Sequence, residues 1–129
     1  MVDQIGQGCF TISIQCQGHL IDEAGRFHVG VATTLMQEAG IGAASTLVAA
    51  DQPLQISDFY LSSYLSSFAE ELKADSHVTR SRHNLMTAVV HLYGVTDIEE
   101  KLVAMGIVSV LAPGMSSEAQ AKLAQVVNP

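Results

Sequence analysis

A proline-free run from Gly30 to Ala50, GVATTLMQEAGIGAASTLVAA, is apolar or small at nearly every position and sets the terms for the rest of the chain. A surface helix confines its apolar residues to one stripe, so a helix of this composition is predicted to be buried on most sides. Its one ionisable side chain is Glu38. The residues one turn away, Thr34, Leu35, Ile41 and Gly42, offer no cation to neutralise a buried carboxylate. Glu38 therefore either reaches water or sits where a charge serves chemistry.

The flanking segments supply what such a helix needs. Residues 9–16, CFTISIQC, alternate with Phe10, Ile12 and Ile14 on one face, the period of a half-buried strand. The polar, glycine-bearing segment after it reads as a loop leading through Phe27 and His28 into the helix. Asp51 to Pro53 should stop the helix, since proline restricts the residue before it. Residues 54–65 read as a partly exposed strand and 68–71 as a turn. Residues 72–82 and 84–93 read as an antiparallel hairpin, and 102–111 as the most apolar strand, ended by Pro113 and Gly114. Ser116 and Ser117 are candidate N-caps ahead of Glu118, so residues 114–129 form a short terminal helix or a tail. One strand, one long helix and four further strands make an α+β chain, a single domain over 1–129 with a curled antiparallel sheet of about five strands wrapped round the helix. Ala39, Gly40, Gly42, Ala43 and Ala44 would let strands approach the helix closely. A lone curled sheet also leaves an edge that invites a second copy.

Composition narrows the function classes. Hydrophobic residues make up 48% and charged residues 15%, a balance that favours self-association of a subunit this small. A net charge of -7 excludes a nucleic-acid binder, and any anionic ligand must be met by Arg26, Lys73, Arg80, Arg82, Lys101 or Lys122. No segment has the apolar length to span a bilayer and the N-terminus lacks a leader pattern, so a cytoplasmic protein with no membrane partner is expected. Cys9 and Cys16 fall on opposite faces of a strand and read as free thiols. The five histidines show no zinc spacing and no G-x-S-x-G elbow is present, so neither metal nor cofactor is expected.

Particular residues then carry a family resemblance. His19-Leu20, His28-Val29-Gly30 and Leu35-Met36-Gln37-Glu38-Ala39, followed by the strand sequences SYLSSF, HVTRSRHNLMTAVVHLYG and KLVAMGIVSVLAP, are similar to hotdog-fold thioesterases of the phenylacetate-degradation (PaaI-like) type. The resemblance runs from His19 to Pro113. It implies the hotdog fold, acyl-CoA thioester hydrolysis, and active sites shared between subunits of a homodimer at least, with a homotetramer as the family's usual assembly. It further implies that the thioester carbonyl sits over the helix start near Gly30, where unpaired backbone N–H groups stabilise the oxyanion. An acid on the partner's helix then attacks or activates water.

The chain departs from this pattern. The first glycine of the family's pair is Val29, the asparagine after the His-Leu pair is Ile21, and the acid position is Gln37, which cannot act as a general base. Glu38 lies one residue on, about 100° further round the helix, on a polar strip with Thr34 and Ser45. It either replaces the missing acid, with Gln37 orienting water, or is a solvated residue with no catalytic part. His28 donates to the thioester or organises the loop. Thr33 and Thr34 either contact substrate or bond carbonyls one turn back. Val29, Val31, Thr34 and Ser45 are candidate pocket residues. Arg80, Arg82 and His83 match the region near the nucleotide part of coenzyme A, or form a solvated hairpin end that blocks aggregation. The alternatives to hydrolysis are a thioester-binding protein without turnover and, ranked lower, a hydroxyacyl thioester dehydratase.

Overall fold

The computed structural model describes residues 2–15, 29–63 and 69–128. In chain order the elements are β1 (Val2–Gly6), β2 (Cys9–Gln15), α1 (Val29–Ser45), β3 (Gln55–Ser63), β4 (Glu71–Arg82), β5 (Leu85–Val95), β6 (Glu100–Leu111) and α2 (Ser117–Val127). The strands form one six-stranded sheet in the order β1-β2-β4-β5-β6-β3, antiparallel at every join. The expected α+β architecture is present, with one strand more than the sequence suggested.

The sheet follows from alternation. On β5, Met86, Ala88, Val90, Leu92 and Gly94 are buried while the intervening residues are partly exposed, and Leu72, Ala74 and Ser76 do the same on β4. These inward residues meet α1, which buries Ala32, Leu35, Met36, Ala39, Gly40, Ala43 and Ala44, a stripe at three- and four-residue spacing. Met36, Leu72, Met86 and Leu92 are fully buried, each worth about 1.5–3 kcal/mol of transfer free energy. As expected, α1 is buried or half-buried round most of its circumference, and within one chain Gly30, Thr34, Glu38 and Ser45 form the strip left exposed.

Glycine sets the distance between helix and sheet. A methyl group on Gly40 would lie 2.8 Å from Val108 Cβ, one on Gly42 would overlap the Phe10 ring, and one on Gly106 would overlap both the Tyr60 carbonyl oxygen and Met36 Sδ. The helix also ends sooner than Pro53 requires. Thr46 and Leu47 donate their N–H groups to carbonyls only three residues back, at 3.3 and 3.1 Å. The Thr46 hydroxyl donates to the Ala43 carbonyl at 2.7 Å and accepts the Gly8 N–H at 2.7 Å. A contact from the β1–β2 turn thus finishes the helix after Ser45.

The predicted hairpin is β4–β5, paired from Glu71↔Val95 to Arg82↔Leu85. Of the predicted strand 54–65, β3 covers Gln55–Ser63, and Tyr64, Leu65 and Phe68 lie outside the described residues, as does Cys16 at the end of the first predicted strand. The tail is a helix: Ser116 caps α2 by accepting the Ala119 N–H at 3.1 Å, Glu118 stands in the first turn and Leu123 is buried. Past α2, the Asn128 side chain accepts the Ser81 N–H at 3.1 Å and donates to the Ser81 carbonyl at 2.5 Å. β2 pairs with β4 only as far as His77, so this amide stands in for a strand partner beyond that point.

Two stability outcomes follow from these contacts. Gly106→Ala is expected to cost about 3 kcal/mol, because backbone on one side and a buried methionine on the other cannot both yield. Asn128→Ala is expected to cost about 1 kcal/mol through the two lost hydrogen bonds, which water can partly replace. Urea denaturation followed by circular dichroism checks both, the midpoint falling at unchanged slope.

Candidate functional site

The first turn of α1 holds N–H groups with no intrahelical partner and carries no acidic side chain, so its positive end is not neutralised by the helix itself. A Cβ built on Gly30 would meet nothing within 4 Å, and Val29 is 56% exposed. Among the described residues nothing covers the helix start, and Val29 stands beside it. His28 lies outside the described residues.

Along the helix, Gly30, Thr34, Glu38 and Ser45 form one exposed strip bordered by half-buried Val31 and Gln37. The hydroxyls are already engaged. Thr33 donates to the Val29 carbonyl at 2.9 Å, Thr34 to the Gly30 carbonyl at 3.0 Å and Ser45 to the Gly42 carbonyl at 2.7 Å, so each offers a ligand lone pairs rather than a proton. Glu38 has no ion pair among the described residues. It sits eight residues along from Gly30, about 12 Å of helix rise. A Glu38 carboxylate consequently cannot reach a carbonyl held at the N-terminus of its own helix.

Arg80 and Arg82 are exposed on the face of the sheet away from α1, opposite Thr87 and Leu85. His83 is the first residue of the two-residue β4–β5 turn and has φ 55°, a conformation that costs a non-glycine residue some strain. Met36 lies by Gly106 and Gly40 by Val108, so α1 points its C-terminal end toward the Leu85 and Leu111 end of the sheet. The β4–β5 turn is thus at the far end from Gly30. Within one chain, Gly30, Glu38 and this basic cluster are not brought together.

Phe59 and Tyr60 join the candidates only in the structure. Both are exposed on β3, at 45% and 64%, and among the described residues β3 pairs with β6 alone, which leaves its other edge open. The signal was available in the adjacent aromatics of a serine-rich strand. An apolar cleft of about 230 Å³ lined by Leu47, Val48, Met115 and Leu123 lies between the end of α1 and α2, at the opposite end of the helix from Gly30. No group of three or more His, Cys, Asp or Glu side chains suited to a metal occurs among the described residues. Among them, too, no helix is long and apolar enough to cross a membrane.

One long helix laid on a curled antiparallel sheet defines the hotdog class of α+β folds. Solved structures similar to this chain include thioesterase-superfamily proteins. A thioesterase family protein from Silicibacter pomeroyi superposes with TM-score 0.82 at 20% identity, covering 87% of this chain and 82% of that one. The PaaI protein of the phenylacetic acid degradation operon of E. coli gives TM-score 0.77 at 14% identity, covering 90% and 80%. A mutant of the phenylacetic acid degradation protein PaaI from Thermus thermophilus gives 0.72 at 18%, covering 87% and 91%. No family model matches the sequence, and no curated protein does. At these identities the likeness establishes the fold.

Proposed function

We propose that this chain is a cytoplasmic acyl-CoA thioesterase whose active site is completed by a second copy. The observation that carries the reading is the separation along α1: a helix start at Gly30 with no acid in its own first turn and an exposed carboxylate at Glu38, about 12 Å apart on one strip. Two such helices side by side in opposite directions bring the Glu38 of each to the Gly30 of the other. The open edge of β3, with Phe59 and Tyr60, suits the pairing that would do this, and a homotetramer follows from pairing such dimers. The thioesterase names of the structural neighbours support the reaction class.

In this reading the substrate carbonyl lies over Gly30, and the backbone N–H groups of the first turn receive the charge that develops on its oxygen. Glu38 from the other copy takes a proton from water as the water oxygen bonds to the carbonyl carbon. The C–S bond then breaks, and coenzyme A leaves as the thiol with the proton returned to sulfur. Gln37, half-buried beside the strip, orients the water, and His28 donates to the thioester or its loop. Val29, Val31, Thr34 and Ser45 line the approach, while Arg80, Arg82 and His83 of a neighbouring copy receive the phosphates of the nucleotide. The absence of an acid at Gln37 and the bulk of Val29 favour one rival reading, a protein that binds thioesters without cleaving them. A hydroxyacyl thioester dehydratase ranks third, because its glutamate would fall nearer Leu35.

Thiol release from a panel of acyl-CoA esters separates these readings. Turnover above background is expected; binding of the esters with no turnover establishes the rival, and hydration of an enoyl-CoA alone establishes the dehydratase. Glu38→Ala should lower kcat by about a hundredfold or more, and Gln37→Ala by less than about tenfold. The reverse ranking would transfer the catalytic role to Gln37. Gln37→Asp should raise kcat if the missing carboxylate limits the rate.

A further inference from the structure

We infer that Cys9, with His77 as its base and Asp75 behind the imidazole, is a thiol-exchange site on the outward face of the sheet that takes low-molecular-weight disulfides. The site lies on the opposite side of the sheet from α1 and stands whether or not the thioester reading holds.

The β2–β4 register builds it. Cys9 pairs with His77 and Thr11 with Asp75, while Phe10, Ile12, Leu72, Ala74 and Ser76 take the alternate positions that face α1. All four polar side chains therefore project outward in two adjacent cross-strand pairs. Cys9 Sγ lies 3.1 Å from His77 Nδ1, and His77 Nε2 lies 3.8 Å from Asp75 Oδ1, at ion-pair distance. The Thr11 hydroxyl donates to that same Asp75 oxygen at 3.1 Å and fixes the carboxylate. Cys9 is not in a disulfide, and the His77 side chain is 51% exposed, so a small reagent reaches the pair.

The order nucleophile, imidazole, carboxylate has a definite polarity. A negative charge beside Nε2 favours the tautomer with its proton there, which turns the Nδ1 lone pair toward the thiol. That lone pair receives the thiol proton as the sulfur becomes the nucleophile. Backbone contacts on both sides hold the pair in register: Gly8, at φ 78°, donates its N–H to Thr46, and its carbonyl accepts the Val78 N–H at 2.8 Å. Other ionisable groups on this face stand at a remove from the thiol. His91 is paired across from Asp75, Lys73 is engaged by Glu100, and Arg80 follows beyond the β4 bulge. Val89 and Ile107 continue the Cys9–His77 row as an apolar floor for a substituent on sulfur.

The chemistry is exchange without net oxidation. The Cys9 proton passes to Nδ1, Cys9 sulfur bonds to one sulfur of the disulfide, the S–S bond breaks, and the departing thiolate takes the proton from the imidazolium. One thiol and one disulfide become one mixed disulfide and one thiol.

The test incubates the native protein with oxidised glutathione and follows the Cys9 adduct by peptide mass mapping, which separates it from Cys16. Cys9 in the wild type should form the mixed disulfide at least about tenfold faster than in His77→Gln, with Asp75→Asn between the two. Circular dichroism checks that the variants fold. Native wild type should exceed urea-unfolded wild type by a similar factor, which keeps the contrast measurable if His77→Gln does not fold. Equal Cys9 rates in wild type and His77→Gln, or in native and unfolded protein, overturn the assignment.

Discussion

Backbone takes the place of side chains where α1 meets the sheet, and the remaining geometry depends on that contact. Gly40 against Val108, Gly42 against the Phe10 ring, and Gly106 beneath Met36 and the Tyr60 carbonyl leave no rotamers to readjust on the glycine side of each contact. A helix seated on longer side chains could turn a little as those side chains repacked. This one cannot turn by the roughly 100° that separates adjacent residues without driving Phe10 or Val108 into helix backbone. Glu38 is consequently held in the middle of the exposed strip and Gln37 at its margin. The difference between the two is set by the core and not by the site.

Much of this was legible in the residues, and the exceptions have physical causes. β5 was readable because Met86 to Gly94 alternate without interruption, and α2 because Ser116 and Glu118 announce a helix start. The strand β1 was missed because VDQIG is exposed at all five positions and so has no burial pattern to betray it; it exists through pairing with β2. The apolar run from Thr46 to Ala50 suggested more helix, but Thr46 is claimed by Gly8, some forty residues earlier, and no local propensity encodes that. The candidate site was legible as a strip, since Thr34, Glu38 and Ser45 fall at helical spacing. Spacing alone does not complete it, because Gly30 and Glu38 stand about 12 Å apart on one helix. Cys9 read as an idle thiol for a similar reason: His77 becomes its neighbour through strand register alone.

The two faces of the sheet have different characters. The inward face is almost wholly aliphatic, whereas the outward face carries a mixed polar surface where Lys73 bonds Glu100 and lies 5.6 Å from the centre of the Tyr93 ring, itself stacked near His91. The Glu100 hydrogen bond raises Lys73 above the ordinary lysine value against the opposing pull of partial burial, with the charges of Glu100 and Asp75 adding to the rise. A raised lysine stabilises the fold below its ordinary titration range and loses that contribution in strongly alkaline solution. With both partners substantially in water the contribution is small.

The unequal ends of the sheet bear on the size of any assembly. At one end, β1 is a short strand with a register shift between Val2 and Gln4 and Asp3 between them, features that make a poor template for further pairing. At the other, β3 is nine residues long and among the described residues pairs with β6 alone. A sheet with two good edges can add copies without limit, as a fibre does. A sheet with one good edge that pairs with itself about a two-fold axis exhausts its capacity in a single step and presents blunt ends outward. The five exposed residues that gave no signal in the sequence thus blunt one edge of the sheet, and strand pairing through β3 alone would close at two copies.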